Sequence, residues 1–198
     1  MARTIAKDYD EKRRLILSRA ARVFADQGFD RASVSQVAQA CKISKANIYH
    51  YYGGKDEILF DILDNYLSGL RDRICGLDLS ALDAAGAFRA AVAEILLAYQ
   101  GADNEHRLQA NSIAHLAEDR RVILIAHQRD LVRYMGDLVA AVAPDVFARD
   151  SAKLRAATMS VFGMLNWYYM WNPGADQVAR REYADLVCTL CLRGLPGL

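Results

Sequence analysis

The chain has 198 residues, more than one average domain and fewer than two large ones. Hydrophobic residues make up 53%, enough for a sizeable core with apolar surface left over for a buried self-association face. Four cysteines (Cys41, Cys75, Cys188 and Cys191) are too few in a chain this long for a secreted disulfide framework, and a net charge of +1 by itself argues nothing about nucleic acid.

The distribution of charge says more. Residues 1–56 carry 11 Lys or Arg and 6 Asp or Glu, whereas the remainder carries 14 and 18. A basic N-terminal quarter on a mildly acidic body suggests one end facing nucleic acid and a body with another task. The N-terminus is charged and lacks an apolar signal-type stretch, so reduced thiols in a cytoplasmic protein are expected. Ala156 to Ala175 carries no charge, yet its dense apolar part runs only from Val161 to Trp171, too short to cross a bilayer. No membrane partner is expected.

Helical patterns run throughout. Only Pro144, Pro173 and Pro196 interrupt them, and no alternating strand pattern is found, so the fold class is all-α. A first helix is predicted from about Asp10 to Gln27, with Ile16, Ala20, Val23 and Phe24 inward and Gly28 as its stop. Ser33 with Gln36 has the form of a capping box, so a second helix starts there, with Val34, Val37 and Ala38 inward. Cys41-Lys42-Ile43 makes a tight turn, Ser44 caps a third helix, and Ile43 and Ile48 plug the angle between the two. A fourth helix follows Gly53-Gly54, with Ile58, Leu59, Ile62, Leu63, Tyr66, Leu67, Leu70 and Ile74 on one stripe. Beyond a loop at Gly76–Asp83, helices are predicted near 84–101, 104–117, 119–142, 150–172 and 176–194. These boundaries give a small basic three-helix module over 1–54, a connecting helix over 55–76, and a larger helical body over 77–198; the helix-turn-helix motif described next makes the first a DNA-binding domain, and the family resemblance given after it implies ligand binding and dimerisation for the last.

Two short helices with a three-residue turn have the spacing a recognition helix needs to enter the major groove. The second presents Lys45, Ala46, Asn47, Tyr49 and His50 outward. Lys45 and Asn47 can reach base edges or phosphates, Ala46 can meet a thymine methyl, and Tyr49 and His50 can donate to phosphate. Ser33, Lys42, Ser44 and Tyr51 complete the candidate DNA-contact set, with Lys55 in the first turn of the fourth helix as a second phosphate site. A generic helical corner with solvated polar residues is the plainer alternative, opposed by the basic surroundings, the paired Ser caps and the cluster Tyr49, Tyr51, Tyr52.

Ala21-Arg-Val-Phe-Ala-Asp-Gln-Gly-Phe29, Ser33-Val-Ser-Gln-Val-Ala38, Ile43-Ser44, Ile48-Tyr-His-Tyr-Tyr52 and Lys55-Asp-Glu-Ile-Leu59 resemble the N-terminal domain of TetR/AcrR-family regulators over residues 12–63. Two departures stand out: Lys42 occupies a turn that usually carries Gly, and Gly53-Gly54 replaces a polar pair, weakening the N-cap of the fourth helix. A left-handed backbone at Lys42 would cost ~1–2 kcal/mol. The resemblance implies a homodimer on a double-stranded DNA operator, and a body whose last two helices form a four-helix bundle with a partner's pair. Leu154, Ala157, Val161, Leu165, Leu186, Val187, Leu190 and Leu195 are the candidates for that buried zone, core and interface not being separable by periodicity.

The segment Phe162 to Gly174 is rich in aromatics and Met. Phe162, Asn166, Trp167, Tyr168, Met170 and Trp171, with Asn111 and His115, form the candidate ligand set, suited to a flat or flexible apolar molecule with polar handles. The alternative is that these side chains merely fill core. This stretch, with Glu182-Tyr-Ala-Asp-Leu186, resembles a TetR subgroup that regulates acyl-CoA and phenylacetate catabolism, which implies a CoA thioester as small-molecule effector. Such an effector needs cations, for which Arg107, Arg120, Arg121, Arg129 and Arg133 are the options. A sensor of lipophilic cations would instead need an acidic lining, with Glu94, Glu105 and Glu118 nearest. His106, His115 and His127 lack metal-ligand spacing, Cys188 and Cys191 read as buried thiols, and no nucleophile elbow or paired-carboxylate site is present. No metal, cofactor or catalytic residue is therefore expected. The reading is a ligand-released repressor, with a ligand-independent DNA-binding protein and an enzyme or carrier as rivals.

Overall fold

Helix α1 runs from Ala2 to Gln27, starting well before the expected Asp10, because no Pro or Gly breaks the chain ahead of Gly28. Gly28 sits at φ +82°, the left-handed position that stops a helix cheaply only with Gly. The computed structural model describes residues 2–194, with side chains from Asp8 onward. Leu195 lies outside the described residues.

The further helices are α2 (Val34–Cys41), α3 (Lys45–Tyr51), α4 (Lys55–Cys75), α5 (Ala84–Ala98), α6 (Asp103–Ser112), α7 (Glu118–Val142), α8 (Pro144–Phe147), α9 (Ser151–Trp171) and α10 (Gln177–Gly194). No strand is found among the described residues. The helix expected over 104–117 instead ends at Ser112 and passes into a single 3₁₀ turn, Ile113–His115. Asn111, Ser112 and Ile113 are all weak helix formers, the first two because their side chains compete for backbone hydrogen bonds. Pro144 opens the extra short helix α8, where its missing N–H is harmless.

The chain divides into two compact units, and their limits differ from those expected. One comprises residues up to Leu67 together with Asn104–Leu124; the other comprises Ser68–Asp103 and residues from Ile125 on. Residues 54 and 76, where the expected domains end, lie within these units and not between them. The physical reason lies in the core of the first unit. Ile16, Ala20 and Phe24 of α1, Val37 and Ala38 of α2, Ile48 of α3 and Ile58, Leu59, Ile62 and Leu63 of α4 are buried there, and Leu108, Leu116 and Leu124 close the same cluster. Each such side chain contributes roughly 1.5–3 kcal/mol by leaving water, so the body's segment 104–124 is part of this core. Both α4 and α7 run from one unit into the other.

In the second unit α5 and α10 pack along one another, with α9 against both. Phe88, Val92, Ile95 and Leu96 of α5, Ala184, Val187 and Cys188 of α10, and Val161 and Leu165 of α9 are all buried. Arg180 is buried here. Its Nε donates to Ala175 O at 3.0 Å and its Nη1 to Leu96 O at 3.1 Å, satisfying a carbonyl that the last turn of α5 leaves without a helical partner.

Cys188 and Cys191 are free and buried, and burial pushes the Cys188 thiol up to about 12. A thiol held neutral is a poor nucleophile. Alkylation of the native protein near pH ~8 should mark Cys75 and spare Cys188 and Cys191 until denaturant is added, as peptide mass mapping would read. Labelling of Cys188 in the native state would contradict the packing of α10.

Candidate nucleic-acid interface

The turn of the helix pair is built by side chains that tie up their own helix ends. Ser33 Oγ accepts from the Gln36 amide at 3.3 Å, and Gln36 Oε1 accepts from the Ser33 amide at 2.8 Å, a complete capping box for α2. Ser44 Oγ accepts from the Asn47 amide at 3.1 Å and caps α3. Between them Lys42 adopts φ 56°, ψ 39°, the left-handed conformation, with its side chain exposed.

That backbone makes Lys42→Gly informative twice over. Relief of the left-handed penalty should stabilise the fold by ~1 kcal/mol in urea unfolding. If Lys42 also touches phosphate, the same change lowers the salt slope of DNA binding by about one unit. An unchanged slope would remove Lys42 from the DNA-contact set and leave only the stability gain.

Helix α3 is sharply divided. Ile48 is wholly buried, whereas Lys45, Ala46, Asn47, Tyr49 and His50 are all exposed. Lys45 Nζ lies 5.6 Å from the centre of the Tyr49 ring, and His50 meets Tyr51 edge-on at 5.3 Å. Tyr51 is half-buried against Tyr9 of α1, ring centres 4.8 Å apart. Tyr52 is buried; its hydroxyl accepts from Arg13 Nε at 3.2 Å, and Arg13 Nη2 pairs with Asp61 of α4.

Lys55 is placed differently from the expectation. Its ammonium donates to the carbonyls of Phe29 (3.0 Å), Asp30 (3.0 Å) and Ala32 (3.4 Å), and sits 4.6 Å from the centre of the Phe29 ring. With three protons and three carbonyl acceptors, it closes the α1–α2 loop onto α4 and has no proton left over for phosphate. At the start of α4 Gly54 has no side chain to cap the helix, and the Gly53 amide donates to Glu57 Oε2 at 2.6 Å.

The candidate ligand set does not gather into one place. Asn111 and His115 belong to the first unit: Asn111 Nδ2 donates to Arg107 O at 2.8 Å, and His115 is exposed, 3.2 Å from Asp30 and 5.5 Å from the Phe29 ring. On α9, Phe162 and Tyr168 are buried and Asn166 half-buried, while Trp167, Met170 and Trp171 are exposed. The 3.6-residue period separates them: 159, 163, 167 and 170 share the outer face, 158, 161, 162, 165 and 168 the inner. Asn166 Oδ1 accepts from the buried Tyr99 hydroxyl at 2.7 Å, Tyr168 stacks on Tyr183 at 4.4 Å, and its hydroxyl accepts from Asn172 at 2.8 Å. Burial raises the Tyr99 pKa, keeping it a neutral donor.

Of the expected cations, Arg107 bonds Ala25 O and Asp26, Arg120 lies over the Phe60 ring, and Arg121 pairs with Glu118. Arg133 and Arg71 line an open cleft of 290 Å³ between α4 and α7, but Asp130 and Asp137 line it too, so it offers no net positive field. Arg13, Asp61, Tyr9, Tyr99 and Arg180 were not singled out from the sequence. Only Arg13 left a signal there, standing at helical spacing from Ile16 and Ala20. Among the described residues no group of His, Cys, Asp or Glu could hold a metal ion, and no helix is long and apolar enough to cross a membrane.

A basic helix pair with a capped two-turn recognition helix, ahead of an all-helical body, defines a helix-turn-helix transcription regulator. The family model described as bacterial regulatory proteins of the tetR family matches residues 16–62, and that of the tetracyclin repressor-like C-terminal domain matches residues 81–195. The chain belongs to the TetR family. A TetR-family transcriptional regulator from Bordetella parapertussis 12822 is 32% identical, with a TM-score of 0.86 over 94% of this chain and 96% of that one. The repressor NicS of Pseudomonas putida is 23% identical over 96% of this chain and 95% of its own length. HbdR of Aromatoleum sp. strain CIB is 37% identical over 78 residues, 37% of this chain but only 34% of HbdR. AibR, solved with isovaleryl coenzyme A and operator DNA, shares the fold at a TM-score of 0.76 and 22% identity, covering 90% of this chain and 97% of AibR.

Proposed function

We propose that this chain is a homodimeric transcriptional repressor that occupies a palindromic double-stranded DNA operator and is released by a small-molecule effector, an acyl-CoA or aryl-CoA thioester. The observation that carries the DNA half is the division of α3, with Ile48 buried and Lys45, Ala46, Asn47, Tyr49 and His50 exposed. In the major groove these five read bases and grip phosphate, while the N-terminus of α4 takes a second phosphate. Ser33 and Ser44 act chiefly by capping, and Lys55 by closing the loop beneath.

Two copies are needed to place two recognition helices about one DNA turn apart, ~34–36 Å. The outer faces of α9 and α10 supply the seam: Met159, Trp167, Met170 and Trp171 on one, Val178, Leu186 and Leu190 on the other, all exposed in the single chain.

The effector reading is supported by the inward set of Phe162, Asn166 and Tyr168 with Tyr99, in which hydroxyl and amide groups paired with each other can turn to a thioester carbonyl. AibR's isovaleryl coenzyme A points the same way. Of the three acids a sensor of lipophilic cations could use, Glu94 is paired with Arg73 at 2.5 Å and Glu118 with Arg121, which leaves that rival Glu105, whose Oε2 is buried. Release needs an effector that favours the non-binding state; a coupling of ~1–3 kcal/mol weakens operator binding 5–150-fold. No catalytic step or cofactor belongs to this reading, which places the protein at DNA in the cytoplasm.

The test is fluorescence anisotropy on DNA from upstream of the protein's own gene, with phenylacetyl-CoA, a long-chain acyl-CoA and free CoA titrated in. Release by one thioester and not by free CoA is expected. Tight binding that ignores all three would keep the DNA half and sink the thioester half.

A further inference from the structure

We propose that Arg13 is a positioning residue for DNA recognition: it joins the Tyr52 hydroxyl, at the C-terminal end of α3, to Asp61 of α4, and so fixes the angle at which the recognition helix meets DNA. The proposal rests on the regulator reading above.

Helix α3 has only seven residues, too few to hold a direction on its own, so its two ends must set it. The Ser44 cap ties the N-terminal end to the turn. At the other end the chain leaves the helix at Tyr52, whose backbone is extended at φ −144°, ψ 131° and whose amide closes the last turn on Ile48 O. The Tyr52 ring is buried, and its one polar atom accepts from Arg13 Nε at 3.2 Å. The same guanidinium lies 5.5 Å from the Tyr52 ring centre and turns Nη2 to Asp61. A planar, permanently charged fork can hold both partners in one geometry, which a lysine could not.

Tyr51 adds a second grip from the same helix, its ring against that of Tyr9. Thus α1 holds two consecutive residues at the end of α3, one by ring contact and one by a charge-assisted bond, and Asp61 refers both to α4. The Tyr52 bond and then Asp61 raise the Arg13 pKa against desolvation, while burial raises that of the Tyr52 phenol, so both groups keep their protonation state at ordinary pH. Arg13 is 41% and Asp61 20% exposed in the side chain, so this pair contributes little to stability. Its leverage is geometric, because base contacts fail when a donor shifts by a fraction of an ångström.

The test starts from a duplex enriched by the full-length wild-type protein from a random DNA library, with poly(dI-dC) as the non-specific reference. Tyr52→Phe, which removes one oxygen, and Arg13→Gln should each lower the ratio of specific to non-specific affinity about tenfold. The double variant should lose no more than either single one, as expected for one shared interaction. The salt slope should stay at the wild-type value, because Arg13 touches no phosphate, and far-UV circular dichroism should stay fully helical. Wild-type discrimination in Tyr52→Phe would overturn the proposal, as would a slope lowered by about one in Arg13→Gln, which would make Arg13 a phosphate contact. If the wild type enriches no sequence at all, the regulator reading fails and the positioning role with it.

Discussion

Replacing Lys55 with methionine is expected to destabilise the protein by about 2–3 kcal/mol, while leaving the salt slope of DNA binding unchanged. The sequence suggests the opposite pattern, a phosphate contact at a helix start. The geometry decides between them. Three carbonyls of the α1–α2 loop surround the ammonium at 3.0, 3.0 and 3.4 Å, and the Phe29 ring lies beneath it at 4.6 Å. Hydrogen bonds to a charged group are worth roughly 1.5–3 kcal/mol net, and a cation over a ring adds about 0.5–1 at a partly exposed site. Methionine keeps the apolar stem over Phe29, so part of the packing survives and the sum stays near the lower end. Urea unfolding of the whole chain measures the loss. A variant of undiminished stability whose salt slope falls by about one would return Lys55 to the DNA-contact set.

Lys55 also marks where the sequence is legible and where it is not. Local chemistry read well: the Ser33–Gln36 box, the Ser44 cap and the Gly28 stop all depend on residues a few positions apart, and each is found as expected, while the sequence poses the left-handed backbone at Lys42 only as a condition. The buried stripe of α4 followed from its period. Long-range pairings did not read. Nothing local marks Lys55 as reaching back to Phe29, or His115 as lying against Asp30, because those partners are set by how helices cross and not by spacing along one helix. The make-up of the compact units rests on the same long-range packing. Leu108, Leu116 and Leu124 have an unremarkable helical pattern, and only the fold assigns them to the core beneath the recognition helix. On α9, apolarity all round hid the fact that one side faces the interior and the other faces out.

That outer side carries the second large effect. Leu186→Glu should convert the dimer to monomers and weaken operator binding by roughly 10²–10⁴-fold. Leu186 and Leu190 are 53% and 58% exposed on α10, and Trp167 is 61% exposed on α9, in a chain whose inward positions are filled by Val161, Leu165, Val187 and Cys188. Side chains of this size gain roughly 1.5–3 kcal/mol each on leaving water, so a face with seven of them is stable only when covered. A two-fold seam meets itself, so one substitution introduces two buried carboxylates into the same interface. Truncation to alanine removes only apolar contact and should loosen the dimer far less, which separates a seam from a surface that merely tolerates leucine. Sedimentation equilibrium at micromolar concentration reads the assembly, and anisotropy on the operator reads the consequence, since each recognition helix would then bind without the other's effective concentration. A Leu186→Glu variant that remains a dimer would move the seam off α10, and the seven exposed apolar residues would need another partner.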